Sequence, residues 1–396
     1  MKELDVPAGF LFAGLAGGIK KSGKLDLGLI FSEKSACCAG VFTRNKVIAA
    51  PLQVTRPKVA AGSCQAILVN SGNANACTGA DGLDVARRTA KAAAAELGID
   101  ESLVAVASTG VIGAQLSLEP FTSSLPRLVS QLSAQQAATV AEAMRTTDAF
   151  PKIASATVAG DPGYIILGLA KGAGMIHPNM ATMLAFVMTD ANISADLLAS
   201  LLQTSVEKSF NSITVDGDTS TNDMVLLLAN GAAGGASIES GSPAVEEFSG
   251  QLDRVLLDLA RMIVRDGEGA SKLVEIRVTG AATVAEARTA ARSVATSSLV
   301  KTAFFGEDAN WGRIIAAVGY SGIDVDQDRI DIFFNDVPVA RNGLSTGPEL
   351  EAEASAVLKL AEFVVHIELH QGEAEWSYHT SDLGYEYVKI NADYRS

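Results

Sequence analysis

Aromatic residues are few, 6% of 396, and positive charge is outnumbered, with 31 Lys and Arg against 45 Asp and Glu for a formal net charge of −14. Phosphate backbones are bound by clustered Lys and Arg, and no such run occurs, so a nucleic-acid partner is excluded. A basic membrane-surface helix is equally absent. The longest apolar stretch near the N-terminus, Gly9–Ile19, falls well short of the roughly 20 apolar residues that span a bilayer. It is preceded by Glu3 and Asp5 instead of basic residues, so neither a membrane span nor a signal peptide is expected. The expected location is cytoplasmic, and the expected partners are small molecules.

Cysteine is also scarce. Cys37, Cys38, Cys64 and Cys77 are the four present, two of them adjacent and none in a C-x-x-C, which argues against a zinc ribbon or a thioredoxin-type site and for buried reduced thiols. No G-x-G-x-x-G follows a strand and no G-x-x-x-x-G-K-[ST] occurs, so a nucleotide cofactor is not expected. His366, Glu368 and His370 alternate along an apparent strand, without the spacing of a metal site. Asp216, Asp218, Asn222 and Asp223 lack the glycine and glutamate spacing of a calcium loop and read as a turn shaped by Asp and Asn side chains.

Abundant small and aliphatic residues remain: hydrophobic side chains make up 48% of the chain and Gly numbers 36. That composition suits a compact protein of closely stacked layers. Apolar runs bounded by turn residues predict strands at Gln65–Asn70, Leu103–Ala107, Tyr164–Leu169, Met183–Met188, Met224–Ala229, Leu273–Val278 and Glu362–Leu369. Helical periodicity fits Asp81–Leu97, Ser194–Ser209, Ala244–Val264, Val284–Ala303 and Glu349–Leu360, with Ser194 and Thr283 as N-caps. The order is not strict β-α-β alternation, so an α+β fold of sheets covered by helices is expected. A boundary near Val274 would divide a catalytic region, 1–274, from a C-terminal α/β portion, 275–396.

The segment richest in chemistry is Leu169–Phe186. Lys171, two glycines, Pro178 and Asn179 lead to Ala181–Thr182 and then directly into an apolar strand. A threonine hydroxyl needs a base, and one solution is the threonine's own α-amine at a chain terminus, whose pKa of about 7.7–8.0 is close to neutrality. An internal threonine acquires that amine only if the chain is cut before it. The other reading of the segment is a Gly-rich hairpin with a capping threonine. His177, four residues before the bond, is not needed as a base and is expected to pack in the turn.

The stretch KGAGMIHPNMATMLAF resembles the signature of the ornithine acetyltransferase (glutamate N-acetyltransferase) family. PAGFLFAGLAGGIKKSGKLDLGLI, LVNSGNANACTG, STGVIG, TTDAFPK, SFNSITVDGDTSTND, RDGEGASK, FFGEDANWGRI and GYEYVKINADYRS look like that family too, in its order and across essentially the whole chain. The departures are small: Ala149 stands where the family often has Thr, and the tail ends in Ser where Thr is also common. The resemblance implies a layered α/β/β/α sandwich shared with self-processing aminopeptidases. It further implies cleavage at Ala181–Thr182 into chains 1–181 and 182–396, and a dimer of such pairs (α2β2).

By the same resemblance Thr182 is the nucleophile, and Thr109 and Gly110 form the oxyanion hole. Lys171, Thr146, Glu268, Asn391 and Ser396 contact substrate, with Lys171 holding a carboxylate and Glu268 the ornithine amino group. The implied reaction carries acetyl from N-acetylornithine to glutamate by a ping-pong route, without metal or other cofactor. Acetyl-CoA is a further donor in some members. Two rivals stay open: a related-fold amidase or aminopeptidase, in which water is the acceptor, and an uncleaved binding protein with a Gly-rich pocket.

Overall fold

A computed structural model describes residues 4–177 and 183–393. It shows the layered α+β architecture expected from the sequence, with two mixed sheets and helices packed on them. The first sheet runs in the order Val104–Val111, Ser63–Asn73, Leu27–Phe42, Met224–Ala229, Leu184–Thr189, Tyr164–Lys171 and Lys152–Val158, with Phe10–Leu15 paired to the first half of Leu27–Phe42. The second is ordered Leu344–Ser345, Val337–Arg341, Asp331–Phe334, Glu362–Glu368, Leu273–Ala281, Ala374–Ser381 and Ile213–Thr214.

All seven anticipated strands are present, with ends displaced by a few residues. Leu184–Thr189 and Met224–Ala229 are buried along their whole length and pair in parallel at the centre of the first sheet. Strands covered on both faces read as unbroken apolar runs, which is why both were visible in the sequence. Several strands not anticipated carry polar residues: Leu27–Phe42 contains Ser32-Glu33-Lys34-Ser35, and Ala374–Ser381 contains Glu375, Ser377 and His379, whereas Phe10–Leu15 is apolar and lies inside the Gly9–Ile19 stretch.

Helix Pro243–Arg265 turns Phe248, Leu252, Val255, Leu256, Leu259 and Ile263 onto one face of the first sheet, where they join Ile166, Val187 and Leu227 in one core. Complete burial of each such side chain contributes roughly 1.5–3 kcal/mol. Helix Ala137–Met144 packs Val140, Ala141 and Met144 on the opposite face, against Ile30, Val69 and Phe186. The second sheet buries Val274, Ile276, Val365 and Ile367 under Ala287, Ala291, Val294 and Ile314.

Several expectations need correction. The span Val284–Ala303 is two helices, Val284–Thr296 and Ser298–Phe305, because Ser297 adopts an extended backbone and its hydroxyl accepts the Val300 N–H, starting a new helix. Thr283 does cap through Oγ1 to the Glu286 N–H at 3.2 Å. Ser194 occupies the N-cap position of Ala195–Lys208 without a side-chain cap bond. Helices Glu119–Ser130 and Ala137–Met144 separate strands that looked consecutive; Glu119–Ser130 was masked by an internal proline, Pro126. Cys38 and Cys64 are buried, whereas Cys77 is exposed. His370 lies beyond its strand with φ +53°, and His366 stacks on Phe333 and meets the Thr279 hydroxyl at 2.7 Å.

Candidate active site

Strand Val104–Val111 lies parallel to Ser63–Asn73, with Ser71 opposite Thr109 and Gly72 opposite Gly110. At Gly110 the backbone has φ +129°, and a Cβ would lie 2.4 Å from the Gly72 carbonyl carbon. Only glycine fits both constraints. The Ser108 carbonyl, just before Thr109, is held in place: Asn222 Nδ2 donates to it at 2.8 Å and to Ala74 O at 2.6 Å, and the Ser108 hydroxyl donates to Asn70 Oδ1 at 2.6 Å. Thr109 and Gly110 therefore reach the cleft on a fixed backbone.

Lys171 ends strand Tyr164–Lys171 with its side chain 2% exposed. Its ammonium donates to Thr146 Oγ1 at 2.9 Å and Thr109 Oγ1 at 3.4 Å, with Asp148 Oδ2 at 3.9 Å. Burial lowers its pKa, against the pull of Asp148. A hydroxyl that accepts from an ammonium keeps its own proton free to donate, so Thr109 is oriented as a donor toward the cleft.

On the other side of the cleft, the turn after Pro243–Arg265 presents Glu268. Its backbone N–H donates to Ala173 O at 2.9 Å, and its Oε2 accepts from Asn391 Nδ2 at 2.9 Å. Asn391 is carried by the helix Tyr385–Asp393, a segment that composition alone would treat as a frayed tail. Among the described residues no cation lies within ion-pair distance of Glu268. Thr109, Gly110, Thr146, Lys171, Glu268 and Asn391 thus line one cleft that opens to solvent. Thr182, Ala181 and Ser396 lie outside the described residues.

The supporting network was not anticipated. Lys152, wholly buried, donates to Asp148 Oδ1 at 2.8 Å and Asp266 Oδ2 at 2.6 Å. Asp148 also accepts the N–H groups of Thr146 and Gly172, at 2.9 and 2.6 Å. Burial opposes its charge, yet the Lys171 and Lys152 ammoniums hold its carboxyl well below the usual range. Asp266 accepts the Ala149 N–H, and burial raises its pKa. Asp148, Lys152 and Asp266 stood inside the quoted TTDAFPK and RDGEGASK segments; the opposite charges four residues apart at Asp148 and Lys152 were the available signal.

The Asp-rich turn does more than shape itself. Asp216 accepts the N–H groups of Met175 and Ile176, at 2.6 and 2.8 Å. The buried Asp223 accepts that of Met183 at 3.0 Å, and burial pushes its carboxyl well above the usual range. These bonds fix the chain on both sides of residues 178–182. His177 meets Thr214 Oγ1 at 3.3 Å and Arg292 at 3.0 Å, and burial with the Arg292 charge lowers its pKa to about 4, so it is a neutral packing residue at pH 7.

An α+β enzyme with a cleft that joins hydroxyl and glycine donors to opposed ammonium and carboxylate groups is suited to acyl transfer between amino-acid-like substrates. Residues 11–396 match the ArgJ family. The chain is 61% identical to the arginine biosynthesis bifunctional protein ArgJ of Syntrophotalea carbinolica, across 98% of this chain and 99% of the relative. It is 51% identical to the protein of the same description from Geobacter sulfurreducens, with the same coverage. A crystal structure of arginine biosynthesis bifunctional protein ArgJ from Bacillus halodurans superposes with a TM-score of 0.52 at 46% identity, covering 53% of this chain and 98% of that one. The chain belongs to the ArgJ family, and it is an acyltransferase of arginine biosynthesis.

Proposed function

We propose that this acyltransferase cuts itself between Ala181 and Thr182 and uses the freed Thr182 to carry acetyl from N-acetylornithine to glutamate. The Thr182 Oγ attacks the acetyl carbonyl while its α-amine takes the hydroxyl proton. The tetrahedral oxyanion is met by the Thr109 hydroxyl and the Gly110 N–H, and collapse expels ornithine with the proton returned to its nitrogen. Glutamate then attacks the acetyl-threonine ester and leaves as N-acetylglutamate. One amide replaces another, so the exchange needs no external energy source.

The observation that carries this reading is the cleft's polarity. The Lys171 ammonium and the Glu268 carboxylate flank the Thr109 hydroxyl and Gly110 in one cavity. N-acetylornithine has a carboxylate at one end and an ammonium at the other, so it matches that pair of charges. The Bacillus halodurans chain supports a two-chain form: it matches over 98% of its own length yet covers 53% of this one, about the share that the 396 − 181 = 215 residues after the proposed bond make up. We also assign Thr146, Asn391 and Ser396 to substrate contacts, a cytoplasmic location, an α2β2 assembly, a unit boundary near Val274 and acetyl-CoA as a second donor.

Intact masses of wild type and Thr182→Ala under denaturing conditions test the cleavage. Two wild-type fragments meeting at Ala181–Thr182, with the variant uncut, are expected; an uncut wild type removes the proposed base and the mechanism with it. Acetate released from N-acetylornithine without glutamate would instead assign the site to a hydrolase.

A further inference from the structure

The Glu268 carboxylate rests on Gly174. A Cβ built at residue 174 would lie 2.4 Å from Glu268 Cδ, 2.4 Å from Oε2 and 2.6 Å from Oε1, with no other heavy atom as near. The surrounding backbone has little freedom to yield. Gly172 N–H is bonded to Asp148, Ala173 O accepts the Glu268 N–H, and the Met175 and Ile176 N–H groups are held by Asp216. Gly174 itself has no left-handed φ, so its backbone does not demand glycine on that ground. The one part able to move is the end of a flexible, half-buried side chain.

We propose that Gly174 is a specificity-determining position acting through Glu268: the space left by its missing side chain is the seat of the carboxylate that receives the donor's ammonium. Any side chain at 174 displaces that carboxylate at small cost to folding and large cost to recognition of an amine-bearing donor. Glutamate has no side-chain ammonium to lose, so its affinity is not reduced. The inference rests on the assignment of Glu268 to the donor ammonium, and Gly174 is a positioning residue, not a group that touches the reacting atoms.

The test compares wild type, Gly174→Ala, Glu268→Gln and the double variant, each by intact mass, thermal unfolding, and steady-state kinetics with N-acetylornithine and glutamate varied separately. In Gly174→Ala we expect full cleavage, a donor KM raised about tenfold or more, kcat within about twofold and an unchanged glutamate KM. Added to Glu268→Gln, Gly174→Ala is expected to cost nothing further, because both act on one contact. A donor KM unchanged in Gly174→Ala but raised in Glu268→Gln overturns this inference alone. A donor KM unchanged in Glu268→Gln overturns the reading beneath it. Loss of folding or cleavage in Gly174→Ala, or a parallel change in both KM values, shows that the backbone yields instead of the carboxylate and also overturns the proposal.

Discussion

Asn391 Nδ2 donates to Glu268 Oε2 over 2.9 Å, and its other donated bond, to Tyr387 O at 3.0 Å, anchors it within its own helix. The C-terminal helix therefore helps to set where this cleft-lining carboxylate points. Gly269, next in the turn, has φ +70° and would place a Cβ 2.4 Å from the Tyr387 N, so turn and helix approach too closely for any larger residue. Asn391→Ala removes one solvent-exposed donor to a charged acceptor, a bond that water can partly replace. We expect the donor KM to rise by up to about tenfold while self-cleavage proceeds. An unchanged donor KM would show that Asn391 does not govern Glu268.

How much of this was legible in sequence differs by residue. The central strands were, because Leu184–Thr189 and Met224–Ala229 are apolar throughout. Individual site residues became visible through motif resemblance, and their convergence did not: Thr109 and Asn391 lie far apart in sequence and share a cleft only because the first sheet, the turn after Pro243–Arg265 and the C-terminal helix come together. Asp148, Lys152 and Asp266 were hidden for a related reason. A charged residue in a short polar segment ordinarily reads as solvent-exposed, and only tertiary structure shows Lys152 with no exposed side-chain surface. The helix Glu119–Ser130 was hidden locally, by Pro126 inside it.

The same buried trio gives a stability prediction. Lys152→Met leaves the Asp148 and Asp266 carboxylates facing each other without their shared cation, and breaking one partner of a buried pair costs about 3–5 kcal/mol. Asp148 also holds Thr146 and Gly172, so the loss should reach the cleft. Urea unfolding of Lys152→Met in an uncut Thr182→Ala background measures it on a single chain. A change below about 1 kcal/mol would mean that the trio contributes little net stability.

Thr109 separates the oxyanion role from simple packing. Thr109→Val keeps the shape and removes the hydroxyl that accepts from Lys171 and faces the cleft. Loss of one oxyanion donor costs about 3 kcal/mol, on the order of a hundredfold in kcat. Thr109→Ser keeps the hydroxyl and is expected to retain most of the rate. Equal kcat values for the Val and Ser variants would remove the hydroxyl from the mechanism and leave stabilisation to the backbone alone.

Lys301 provides a pH test of the second sheet. Its ammonium is buried, donates to Thr380 Oγ1 at 2.8 Å, to Ser381 Oγ at 3.2 Å and to the Ser381 carbonyl, and has no carboxylate within ion-pair distance among the described residues. Burial lowers its pKa from 10.5 to about 7, against the more distant charges of Asp382 and Asp216. Between those two values the unfolded chain binds the proton and the folded chain does not, so folding becomes more favourable as pH rises. The cost of burying the charge is thus full below pH 7 and relieved through the window up to about pH 10.

Lys301→Met has no such proton to release. We expect the stability difference, wild type minus variant, to grow in favour of wild type from pH 7 to 9 with a slope of up to about 1.4 kcal/mol per unit. Urea unfolding of both in the uncut Thr182→Ala background, at pH 7, 8 and 9, cancels the titrations they share. Parallel pH curves would show that Lys301 keeps its proton in the folded protein, held by Thr380 and Ser381 despite burial.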